Sequence, residues 1–284
     1  MNQRSSNLLD EALGLDQSIE PWPLRGRIVA IEDQVETSGS FVLHHILKRS
    51  LSPNSSNVSI LIAFSQPFSH YDRVLRKLGC NLVTQRDNNR FFFFDMLMLQ
   101  CPGGDEGISP ECGLIALYGK IYKTIVALPE VSSKNVTIII DDLSLMEVAA
   151  NGSSDYVLDF MHYCRTLTTE FDCSLIALNH EDIYSSADRP TFLLQMEYLA
   201  DILIKAEPLA TGLASDVHGQ LTVLNKGMNY RQGSSRNKIS NFHFKVKENV
   251  VECFYPGSQA TIKEEQISLA IAQVKDRDTS IPTS

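Results

Sequence analysis

EDQVETSGSFVLHHIL, residues 32–47, follows the strand-like run RIVAIE (27–32) and passes through a small polar loop into an amphipathic helix. That is the setting of a phosphate-binding loop, where backbone N–H groups and a helix N-terminus hold phosphate. The pattern G-x-x-x-x-G-K-[ST] laid on Gly39 puts Gln34 at the first glycine, Ser40 at the lysine and Phe41 at the Mg²⁺-binding hydroxyl. The surroundings of a nucleotide fold are present without its side-chain chemistry.

Outward from this stretch the chain alternates strand and helix signals. VSILIAF (58–64), VTIIIDD (136–142) and CSLIALNH (173–180) are near-continuous apolar runs, the mark of strands buried on both faces of a parallel sheet. SHYDRVLRKLG (69–79) reads as a helix ending at Gly79, and residues 113–128 and 154–171 as two more. NLVTQ (81–85) and RFFFFD (90–95) read as short strands. FLLQMEYLADILIKAE (192–207) runs from helix into strand. GQLTVLNK and KISNFHFKVKENVVECFYP then alternate with period 2, as antiparallel strands around a Glu248–Asn249 turn. This predicts an α/β three-layer sandwich: a central, mostly parallel sheet with a C-terminal antiparallel hairpin. The expected organisation is an N-terminal arm (1–23), one domain (24–256) and a flexible tail (257–284).

With 284 residues, 43% apolar and 21% charged, the chain has the composition of a globular protein. A net charge of −9 argues against gripping nucleic acid over the whole surface. No signal peptide is visible at the start, and the apolar runs are too short to span a bilayer. Six cysteines (Cys80, Cys101, Cys112, Cys164, Cys173, Cys253) contain no C-x-x-C pair, so buried or free thiols are expected, with no metal or disulfide framework. The histidines lack ligand spacing: His44 and His45 are adjacent on a helix, and His162 and Cys164 two apart. They read as structural.

TIIIDDLS (137–144) has the Walker B form, an apolar strand ending in Asp141 and Asp142. Such a carboxylate holds Mg²⁺ in a working ATPase; alternatively Asp142 caps the following turn by accepting N–H groups near Ser144 and Leu145. RecA-like ATPases place an activating glutamate after the second strand, where this chain has SQPF (65–68). One stretch is basic: NKGMNYRQGSSRNK (225–238) carries Lys226, Arg231, Arg236 and Lys238 with no acid. Such a loop suits RNA phosphates and base stacking, or is a solvated hairpin loop.

AEPLATGLASDVHGQL (206–221), with GSFVLHHILK, FSQPFSHY, TIIIDDLS and VLDFMHYCR in this order, resembles the family of the sixth Elongator subunit from about Arg27 to Phe254. The resemblance implies a RecA-like fold with a degenerate P-loop (Gly39, Ser40) and Walker B remnant (Asp141, Asp142). It implies a non-catalytic subunit without cofactors that forms a heterohexameric ring with the fourth and fifth subunits, two copies of each. That ring binds tRNA, docks on the catalytic subunits, is coupled to ATP turnover and supports carboxymethyl-type modification of wobble uridine 34, in cytoplasm and nucleus. The radical chemistry, with an iron–sulfur cluster, S-adenosylmethionine and acetyl-CoA, belongs to the third subunit. An arginine supplied to a neighbour's nucleotide site has Arg73, Arg76 and Arg165 as candidates. The competing readings are an active nucleotide hydrolase with an unusual phosphate loop and a diverged recombinase acting on DNA.

Overall fold

A computed structural model describes residues 7–15, 22–53, 55–97, 110–129, 135–184, 191–212, 214, 216–227, 238–248 and 250–257. The expected tail from 258 onward lies outside these residues. In chain order the elements are α1 (Leu8–Leu13), β1 (Ile28–Asp33), α2 (Ser40–Ser50), β2 (Val58–Ala63), α3 (Phe68–Lys77), α4 (Leu82–Asp87), β3 (Phe91–Asp95) and α5 (Pro110–Val126). They continue with β4 (Val136–Asp141), α6 (Leu143–Ala149), α7 (Ser154–Glu170), β5 (Ser174–His180), a 3-10 turn (Glu181–Tyr184) and α8 (Thr191–Leu199). The last strands are β6 (Ile202–Glu207), β7 (Gly219–Asn225), β8 (Lys238–Val246) and β9 (Val251–Phe254).

Among the described residues, nine strands form one sheet in the order β3-β2-β4-β5-β1-β6-β7-β8-β9. Pairing is parallel from β3 through β6 and antiparallel from β6 to β9. β1, β2 and β4 are buried at every position, which is why their sequences carry apolar side chains on both faces. One face packs on α5, α7 and α8 through residues such as Ile138, Ile140, Phe160 and Met161. The other packs on α2 and α3 through Val29, Ile31, Val42, Leu43, Ile46 and Leu47. Each such side chain contributes about 1.5–3 kcal/mol on burial. The described part of the arm also lies here, with Leu9, Leu13 and Leu15 in that second core.

One sequence expectation fails. Residues 81–85 are not a strand: Asn81 caps α4, its side chain accepting the Thr84 N–H at 3.2 Å. Leu82 is the helix's single buried residue, so NLVTQ had too short an apolar run to distinguish helix from strand. Gly79 stands just past α3 with φ +87, the left-handed geometry that ends a helix and that a side chain would strain. Gly219 is needed for space instead. A Cβ there would lie 2.7 Å from the Glu207 carbonyl and 2.7 Å from Thr37 Cγ2.

Candidate nucleotide cleft and basic loop

β1, β4 and β5 bring their C-terminal ends to one end of the sheet, with β5 between the other two. In open α/β sheets the carboxyl ends of the strands are where ligands bind. Here the loop between β1 and α2 folds back on itself: the Thr37 N–H donates to the Gln34 carbonyl at 2.9 Å, closing a tight turn. The Val35 N–H donates to Asp182 Oδ2 at 2.7 Å, which ties the loop to the turn after β5.

Asp33 ends β1 and is 1% exposed. Its Oδ2 accepts the Gly39 N–H at 2.7 Å, directly before the first turn of α2. A backbone N–H that a phosphate loop would offer to its ligand is thus bonded to the protein's own carboxylate. A phosphate brought to this N–H would meet a buried carboxylate, and like charges at such range repel strongly. Gly39 is held closely as well, since a Cβ would sit 3.1 Å from Ile31 Cγ2 and 3.2 Å from Asp33 Cβ.

The other Asp33 oxygen faces His180 Nδ1 in a very short contact, and His180 Nε2 lies 3.1 Å from Asp142 Oδ2. Asp142 and Asp33 together raise the His180 pKa to about 10 against the opposing effect of burial. At neutral pH a charged imidazolium therefore links the strand ends. Asp142 Oδ1 accepts the Leu145 N–H at 2.7 Å, so Asp142 caps α6, the structural role among the two expected for it. Asp141 accepts the Tyr71 hydroxyl at 2.6 Å, and burial holds its carboxyl above the ordinary range. Ser144 joins the network, donating to Asn179 at 3.1 Å and accepting the His180 N–H at 3.0 Å. Gly39, Asp141 and Asp142 do converge on one edge as their motifs require, while Ser40 Oγ lies 3.0 Å from Ser38 Oγ at its rim.

Asp33 and His180 carry this arrangement, yet neither was singled out in the sequence. The available signal was a pair of acids, Glu32 and Asp33, at the end of an otherwise apolar strand. Glu32 points to the opposite face, where Lys205 Nζ lies 2.7 Å from it and 2.9 Å from Glu197.

The basic loop is described only at its ends. Lys226 donates its ammonium to the Glu197 carbonyl and is half-buried. Lys238 is exposed at the start of β8, paired in register with Asn225. Arg231 and Arg236 lie outside the described residues. Of the arginines considered for a neighbouring site, Arg76 bonds Asp72 at 2.7 Å and Arg165 bonds the Leu199 carbonyl at 3.2 Å, while Arg73 is exposed. Among the described residues no helix is long and apolar enough to cross a membrane.

A solved structure, that of a KaiC-like protein from the archaeon Pyrococcus horikoshii, superposes with a TM-score of 0.56 over 81% of this chain and 90% of its own, at 11% identity. That likeness concerns the fold, which is RecA-like. Elongator complex protein 6 of Mus musculus is 31% identical over 243 residues, covering 80% of this chain and 90% of its own. Its counterpart in Xenopus laevis is 30% identical over 241 residues, covering 80% and 89%. The family model of Elongation complex protein 6 matches residues 12–248. The chain therefore belongs to the Elongator complex protein 6 family.

Proposed function

We propose that this chain is a non-catalytic Elongator subunit that uses a RecA-like fold for assembly. In this reading it forms a heterohexameric ring with the fourth and fifth subunits, two copies of each. The ring binds tRNA, docks on the catalytic subunits and supports carboxymethyl-type modification of wobble uridine 34. The observation that carries the non-catalytic part is the Asp33 carboxylate bonded to the Gly39 N–H, with His180 bridging Asp33 and Asp142. Lysine is also absent from the 34–40 loop, and Ser65–Phe68 offers no carboxylate to activate water.

Head-to-tail assembly suits a domain with one unlike face at each end, provided the ring closes. Closure gathers one basic loop per subunit around an axis, where weak contacts engage together. An acidic chain contributes to tRNA binding through Lys238, Arg231 and Arg236 in this way, with Lys226 anchored at the loop's root. The test is the mass of the chain alone and after mixing with the fourth and fifth subunits, with tRNA binding followed on each sample. A hexamer-sized species that alone binds tRNA is expected. A chain that stays apart from those partners, or hydrolyses ATP unaided, overturns the reading in favour of an active nucleotide hydrolase.

A further inference from the structure

A cavity of about 410 Å³ lies between α2, α3 and the residues Val246, Lys247, Glu248, Val250 and Val251. Ser40, His44 and Lys48 line it from α2 at spacings of four, and His70, Val74 and Lys77 line it from α3 at four and three. Residues so spaced share one helix face, so each helix presents a cation and an imidazole to the same space. His44 is 8% exposed, and its Nε2 has no hydrogen-bond partner among the described residues. A buried polar nitrogen left in that state destabilises the fold until a partner reaches it. It marks a place where a ligand atom is wanted.

The surrounding charges favour an anion. Burial first, and then His70, lower the His44 pKa to about 4, so the ring is neutral at physiological pH and its one N–H is free to donate if it lies on Nε2. His45 is engaged by Asp10 at 2.7 Å, and Lys247 by Glu252 at 2.5 Å. Lys48 and Lys77 have no carboxylate in ion-pair range among the described residues, and Glu248 is the one acid lining the cavity. Burial pushes the Cys253 thiol up to about 12, so it adds no negative charge. Phe41, Leu78 and Val251 supply apolar wall. A bare inorganic anion would leave those walls unused.

We propose that this cavity binds a small organic carboxylate. Its oxygens take the His44 N–H and the Lys48 and Lys77 ammonium groups, and its apolar body packs on Phe41 and Val251. The same chemistry is presented by a free acid and by the carboxylate at a peptide's end. The site runs along the flank of α2 and meets the β1–α2 loop at Ser40.

The experiment is a titration of the full chain at neutral pH with benzoate, benzyl alcohol, inorganic phosphate and N-acetylphenylalanine, following the histidine ring protons by NMR. Benzoate or N-acetylphenylalanine should shift the His44 and His70 signals saturably and raise the His44 pKa. The tighter of the two identifies the source as a free acid or a chain end. Lys48→Met with Lys77→Met, on partly or fully exposed side chains that leave the core intact, should weaken binding roughly tenfold. Absence of a saturable shift overturns the proposal. So does benzyl alcohol binding as well as benzoate, which would mean an apolar cavity only, or phosphate competing as strongly, which would mean a surface charge effect only.

Discussion

Glu32 and Asp33 are neighbours in β1, and they end on opposite faces of the same sheet edge with opposite consequences. On one face, Asp33 is enclosed by a backbone N–H and a histidine. On the other, Glu32 meets Lys205, which also serves Glu197 at 2.9 Å and lies 4.0 Å from Glu181. Burial raises the Glu32 pKa and the lysine offsets this only in part. A buried acid answered by fixed N–H groups becomes part of the frame. One answered by a shared lysine, itself 20% exposed, remains a cost that the lysine limits.

The largest effect is expected from Asp33→Ala, which orphans the Gly39 N–H and leaves the His180 cation with Asp142 alone. Loss of one partner from a buried pair costs about 3–5 kcal/mol, so urea unfolding should move to a markedly lower midpoint. Asp33→Asn, which keeps an acceptor for the N–H, should cost less; equal losses would mean that the Gly39 bond contributes nothing. Lys205→Met comes next, at about 2 kcal/mol, because Glu32 then stays buried beside Glu197 without a cation and must take up a proton. Its penalty should shrink at low pH. A penalty that is the same at every pH would break the contrast between the two faces.

His180 sharpens the comparison through pH. Its folded pKa is raised to about 10 from an ordinary 6.5. The stability it adds is therefore fully present below about 6.5 and is lost as pH rises toward 10. Stability measured from pH 6.5 to 8.5 should fall more steeply for the wild-type chain than for His180→Gln. Parallel curves would mean that the imidazole is neutral in the native state. The smallest effects belong to the basic loop. Alanine at Arg231, Arg236 or Lys238 should weaken tRNA binding by the ring and lower the salt slope by about one for each phosphate that is no longer neutralised. Alanine at Lys226 should act mainly on the anchoring of the loop.

The parallel core was legible because β1, β2, β4 and β5 are buried on both faces and so are written as apolar runs. α2 and α3 were legible from their spacing. NLVTQ was not, because its outcome turned on one Asn81 cap. The closure of the cleft was hidden for a different reason. Asp33 and His180 are 147 residues apart, and they meet only because β5 lies next to β1 in the register that pairs Asp33 with His180. The motif pattern exposed missing residues at positions 34, 40 and 41, but a pattern of absences does not show which carboxylate bonds the Gly39 N–H.

The most direct test is equilibrium binding of a non-hydrolysable Mg·ATP analogue to the isolated full chain. The closed cleft predicts no saturable binding up to millimolar concentrations. A micromolar Kd, competed by ATP, would contradict the closed cleft, because it would require the Gly39 N–H to exchange Asp33 for a phosphate.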